Sequence, residues 1–120
     1  MSGFVRVPYN DVEAIEKVAV LDKNITAILV EPIQGEAGVI VPDDGYLAAL
    51  RDICDRHGWL LALDEIQCGL SRTGQWFAYQ HEKILPDLLT SAKALANGIP
   101  IGACIARGAA AELLSPGRHG

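Results

Sequence analysis

The 120-residue sequence lacks most of what would tie it to a membrane, a metal or a nucleic acid. No apolar run approaches the ~20 residues that a membrane-spanning helix needs. The opening stretch, MSGFVRVPYN, has no hydrophobic signal core, and a cytoplasmic protein is expected. Cysteine is scarce: Cys54, Cys68 and Cys104 are odd in number, far apart and free of any CxxC spacing. They read as free thiols in a reducing compartment, not as a disulfide frame or a zinc site. His57, His81 and His119 are equally scattered, so no metal is expected. Basic residues are outnumbered, 10 Lys and Arg against 15 Asp and Glu. The net charge of -5 argues against nucleic acid and anionic membranes as partners. Repeats and low-complexity segments are absent. What is present is a half-hydrophobic chain with 21% charged residues, a core-rich globular composition. A chain of this length buries roughly two thirds of its unfolded surface.

The apolar residues fall into a rhythm. Asn10 with Glu13 suggests a capping box, and Val12, Ile15, Val18 and Ala19 follow at helical spacing, so a helix is expected over 11–20. ITAILVE (25–31) reads as a buried strand, and IQGEAGVIVPDDG as a loop. Tyr46, Leu47, Leu50, Ile53, Cys54 and His57 share one helix face, which Gly58 should end. WLLALDE (59–65), DLLTSA (87–92) and IGACIAR (101–107) read as three more strands. A short helix is expected near Trp76–His81, and another starts at AAAELL (109–114). Strand and helix alternating in units of about thirty residues are the βαβ rhythm. Near-continuous apolar strands imply a sheet covered on both faces. The expected fold is therefore α/β, with a mostly parallel sheet and helices on both faces.

In such sheets ligands bind beyond the carboxyl ends of the strands. The first strand ends at Glu31, the second at Asp64 and Glu65, and the third runs into Lys93. From Leu88 to Ala106 that lysine is the sole charged side chain. A lone ammonium in an apolar stretch either snorkels to water or is a nucleophilic amine held beside a pocket. Glu31 either takes part in a site or caps neighbouring backbone. Glu65 and Arg72 could pair, Trp59 and Trp76 read as core or interface residues, and Cys68 as a packing residue. Four apolar residues followed by Asp-Glu also suit the magnesium-binding strand of a P-loop ATPase. That chemistry needs a GxxxxGK[ST] loop, and none exists here.

Three segments carry a resemblance: VEPIQGEAGV (30–39), LDEIQCGLSRTG (63–74) and SAKALANGIPIGA (91–103). In order and spacing they resemble class III aminotransferases, enzymes of fold type I that depend on pyridoxal phosphate (PLP). Within that family GQWFAYQHEKILPDLLTSAKAL and SPGRHG are most similar to the acetylornithine branch. The resemblance implies that Lys93 holds PLP as an internal Schiff base and that Asp64 pairs with the pyridine nitrogen. It gives Gln67 a hydrogen bond to the 3'-oxygen of the ring and Ile66, often valine in the family, a place against one ring face. It sets Glu36 near the substrate side chain, paired with an arginine from elsewhere in the enzyme. PLP is an electron sink for a carbanion at the substrate Cα. At ~4 Å and an effective dielectric of ~20, a fixed carboxylate favours the pyridinium by roughly 4 kcal/mol, about 3 pKa units. The freed lysine amine would carry the proton between Cα and C4'.

The implied reaction is transamination of N-acetylornithine, or a related ω-amino group, with 2-oxoglutarate in arginine biosynthesis, by a homodimer. Ornithine, succinylornithine and 4-aminobutyrate are the alternative donors, and a non-catalytic nucleotide-binding module the alternative class. Family members are several times longer. Residues 1–120 are accordingly expected to be the central part of the large PLP domain, without the upstream phosphate loop or the small C-terminal domain. Ser71 and Ala94 stand where glycine is frequent in the family, both in loops.

Overall fold

The computed structural model describes residues 3–113 and 117. Along them run helix α1 (Val12–Leu21), strand β1 (Ala27–Val30), helix α2 (Tyr46–His57), strand β2 (Leu60–Asp64), a 3-10 turn (Ala78–Glu82), strand β3 (Leu88–Ser91), a second 3-10 turn (Lys93–Ala96), strand β4 (Ala103–Ala106) and the short helix α3 (Ala109–Glu112). Every expected element is present, each within a few residues of its anticipated bounds. The SPGRHG ending and the last residue of AAAELL lie, apart from Gly117, outside the described residues.

The sheet order is β1-β2-β3-β4. β1, β2 and β3 pair in parallel, with Val30 opposite Leu63 and Asp64 opposite Thr90. β4 runs antiparallel to β3, with Ser91 opposite Ala103. Only 11 residues lie between Ser91 and Ala103, and a parallel return ordinarily needs a crossover of a dozen or more. Alternation sends Leu61 and Leu63 to one face of β2, where they join Ile15, Ala19, Leu47, Leu50 and Ile53 of α1 and α2 in one core. Leu50, Ile53, Leu61 and Leu63 are buried almost completely, each contributing roughly 1.5–3 kcal/mol of transfer free energy.

The opposite face departs from expectation. Leu29 is 65% exposed, and no second layer of helices covers the sheet among the described residues. Apolar strands signal what a sheet requires, not which residues supply the cover.

The caps also differ from the sequence reading. Asp11, not Asn10, caps α1, accepting the Ala14 N–H at 2.9 Å. Asn10 sits at φ 63° and accepts the Asp43 N–H instead, so the expected capping box does not form. α2 ends at Gly58 in the left-handed conformation (φ 68°), as anticipated. Its other end starts from a glycine without a capping side chain. Glu82 fills that role from a distance, accepting the N–H groups of Leu47 (3.3 Å) and Ala48 (2.8 Å). His57 is exposed and stacks on the buried Trp59.

Candidate functional site at the carboxyl edge of the sheet

Parallel pairing of neighbouring strands brings Glu31, Asp64 and Lys93 to one edge. Asp64 closes β2 and turns its carboxylate to its own loop, accepting the Ile66 N–H at 3.0 Å. Gln67 donates from Nε2 to Glu36 Oε1 at 2.9 Å. The same Glu36 oxygen lies 3.9 Å from Lys93 Nζ. An acid from the first loop, an amide from the second and the amine after β3 thus converge. Gly35 makes that approach possible: a Cβ there would lie 1.1 Å from Gln67 Oε1.

Lys93 occupies φ 46°, a left-handed conformation that costs a residue with a Cβ roughly 1 kcal/mol or more. Its side chain is 52% exposed. It lines a shallow concavity of about 520 Å³ with Ala92, Gly98, Ile99, Pro100, Ile101 and Gly102. The apolar burial expected around it is therefore not supplied by these residues. A slightly larger hollow beside Tyr9, Asp11 and Asp43 lies against the amino ends of α1 and α2, where Tyr9 donates to the Glu31 and Pro32 carbonyls.

Contacts decide the roles of the neighbouring side chains. Glu31 does cap backbone, accepting the Gly35 N–H at 3.0 Å. Glu65 forms no ion pair with Arg72; it is 1% exposed and accepts the N–H groups of Ala78 (2.7 Å) and Tyr79 (2.9 Å). Burial raises its carboxyl pKa, partly offset by the Tyr79 and Ala78 N–H groups and the Cys68 thiol. Cys68 is buried, and burial with the adjacent Glu65 carboxylate pushes its thiol up to about 12, so it is a packing residue and no nucleophile. Trp76 is 69% exposed and outside the core.

Chemically the edge offers a primary amine, a carboxylate one strand away and an amide N–H donor. Thr90 Oγ1, on the residue opposite Asp64, is buried without a hydrogen-bond partner. That donor set fits a group with an aldehyde, a basic ring nitrogen and a ring hydroxyl. Among the described residues no cluster of three His, Cys, Asp or Glu is placed to hold a metal, and no helix is long and apolar enough to cross a membrane.

An amine and an acid gathered beyond the carboxyl ends of parallel strands mark an α/β protein that holds a small ligand at that edge. The family model described as "Aminotransferase class-III" matches residues 3–120. The acetylornithine aminotransferase of Nitrosomonas europaea is 59% identical over 99% of this chain, and that of Methanopyrus kandleri 53% identical over 98%. The chain spans 30% of the length of each. Among solved structures, the ornithine aminotransferase of Toxoplasma gondii superposes with a TM-score of 0.93 at 45% identity, over 100% of this chain and 28% of that one. The acetylornithine aminotransferase of Elizabethkingia anophelis gives 0.92 at 46% identity, over 98% and 30%. The chain belongs to the class III aminotransferases. These are PLP-dependent, and a second Toxoplasma ornithine aminotransferase structure is described with partial occupancy of PLP at its active site.

Proposed function

We propose that this chain forms the central part of the large domain of a PLP-dependent aminotransferase that uses N-acetylornithine as amino donor and 2-oxoglutarate as acceptor, in arginine biosynthesis. The observation that carries the proposal is Lys93, a lone amine directly after β3, one strand from the Asp64 carboxylate at the same sheet edge. The acetylornithine names of its relatives support the donor.

Bound PLP supplies an electron sink for charge at the substrate Cα. Lys93 would offer the amine that holds the cofactor aldehyde and, when free, would move the Cα proton. Asp64 would keep the ring nitrogen protonated. Gln67 would donate to the ring oxygen, and Ile66 would pack against the ring. Glu36 presents a carboxylate on the substrate side. The exposed Ile99 and Ile101 beside Lys93 are surfaces that further chain or a partner subunit would cover, which supports a homodimer. Three free thiols and an acidic chain support a cytoplasmic location.

A second reading keeps the chemistry and changes the donor to ornithine, the substrate named for the Toxoplasma relative, which superposes at 0.93. Steady-state assays of the full-length protein with both donors decide between them. A kcat/KM at least tenfold higher for N-acetylornithine is expected. A preference for ornithine would replace the first reading with the second, and no turnover of either would remove both.

A further inference from the structure

Asp64 and Glu65 are consecutive, yet the fold uses them oppositely. Asp64 ends β2 at the site edge, while Glu65 is the one carboxylate buried in the interior among the described residues, 1% exposed. Glu65 is pinned through its backbone as well. Its N–H donates to Thr90 O at 3.0 Å, extending the pairing with β3, and its carbonyl accepts the Gly69 N–H at 3.0 Å. Gly69 fits so closely that a Cβ there would lie 2.7 Å from that carbonyl oxygen. The carboxylate reaches across the loop to the N–H groups of Ala78 and Tyr79, and Cys68 Sγ approaches it at 3.7 Å. The loop between those two anchors carries Ile66 and Gln67. It also contains Leu70 and Ser71 at φ 53° and 66°, conformations that need outside support to persist. At its far end Glu82 ties the same segment to α2.

The geometry points to Glu65 as a positioning residue whose buried carboxylate clamps the 66–79 loop and thereby fixes Gln67 against Glu36, the carboxylate that faces Lys93. The inference rests on the proposed aminotransferase site. A carboxylate suits the task because it accepts from two N–H donors at once. An amide of the same shape offers one oxygen and turns an NH2 toward the other donor. A hydrophobic side chain would leave both N–H groups buried without partners.

The test compares Glu65→Gln, Glu65→Ala and Lys93→Ala with the unmutated full-length protein. Hydrogen exchange of the cofactor-free protein reads the loop. PLP titration, followed by absorbance against pH, reads the site. Expected for Glu65→Gln is exchange about ten- to a hundredfold faster at Gly69–Tyr79, with α1 and β1 unchanged. With it should come about tenfold weaker PLP binding and a displaced pH midpoint of the visible band. Glu65→Ala should go further, and if it fails to fold, Glu65→Gln alone decides. A loosened loop with unaltered PLP affinity and band would make Glu65 merely structural and overturn the proposal. So would an unchanged loop. A visible band in the unmutated protein that survives Lys93→Ala would instead bring down the site reading, and it is seen without touching Glu65.

Discussion

The exits of β2 and β3 lie side by side and are built differently. After β2, Asp64 accepts from Ile66, Glu65 ties Gly69, Ala78 and Tyr79 by hydrogen bonds, and Glu65 and Cys68 are buried. After β3, the 3-10 turn Lys93–Ala96 has no buried residue, and Leu95, Ile99 and Ile101 are 39%, 70% and 53% exposed. The acid side of the site is held by its own loop. The amine side carries partly or largely exposed apolar side chains, and the Lys93 ammonium lies 3.9 Å from Glu36. The acid proposed to pair with the cofactor is thus preorganised by local sequence, whereas the lysine's surroundings depend on groups from farther away.

Short of removing Lys93 itself, the largest effect expected is at the self-supporting exit. Asp64→Asn keeps an oxygen for the Ile66 N–H, so the loop should hold, but the charge proposed to favour a protonated ring nitrogen is gone. Single-turnover proton abstraction should slow about a thousandfold, equivalent to ~4 kcal/mol. Near-normal rates with cofactor still bound would break the comparison at its stronger side.

The opposite end of the sheet should respond in stability and not in chemistry. Asp87 accepts from Arg51 (2.7 Å) and from the Leu61 N–H (2.9 Å), and Arg107 lies 3.3 Å away. Asp87→Ala should destabilise by about 2–3 kcal/mol in urea unfolding of the full-length protein, with PLP affinity unchanged. Burial pushes the Asp87 carboxyl up, but the Leu61 N–H and the Arg51 guanidinium outweigh it and hold it below the usual carboxylate range. As pH falls, the unfolded chain therefore takes up this proton first. The contribution of Asp87 should be complete above the ordinary aspartate range, fade as pH falls through it and be gone below the lowered folded value. Asp87→Ala should flatten that part of the stability–pH curve.

Gly35→Ala tests the contact across the edge. A Cβ 1.1 Å from Gln67 Oε1 must expel that side chain from Glu36, and PLP binding should weaken about tenfold, ~1.4 kcal/mol. Ile101→Ala should have the smallest effect and sharpens the comparison most finely. If distant groups cover the β3 exit in the full-length protein, the change costs about 1 kcal/mol or more, read by urea unfolding. No change at all would mean that Ile101 stays as exposed as it is here.

The elements, and the sheet edge at which the candidate residues gather, were legible because local periodicity and strand ends carry them. Leu61 and Leu63 alternate toward the core, Gly58 stops α2, and Asp64 and Lys93 follow apolar runs. The contacts were not legible, because they join residues far apart in sequence. Nothing near Glu65 in the chain announces Ala78 and Tyr79 as its partners, and Arg72 looked the better candidate. Glu82 reaching the start of α2, Asp11 displacing Asn10 as the cap, and Gln67 needing Gly35 are of the same kind. The antiparallel turn of β4 was open to inference from the short span between Ser91 and Ala103. The exposure of Lys93 was not, since an apolar stretch reads alike whether its cover is near or far.

The most direct test of the account is borohydride reduction of the full-length protein incubated with PLP, followed by peptide mapping. The account predicts one stable adduct, on the peptide containing Lys93, which disappears in Lys93→Ala together with transamination. An adduct carried by Lys17, Lys23 or Lys83, or one that persists in Lys93→Ala, would contradict it.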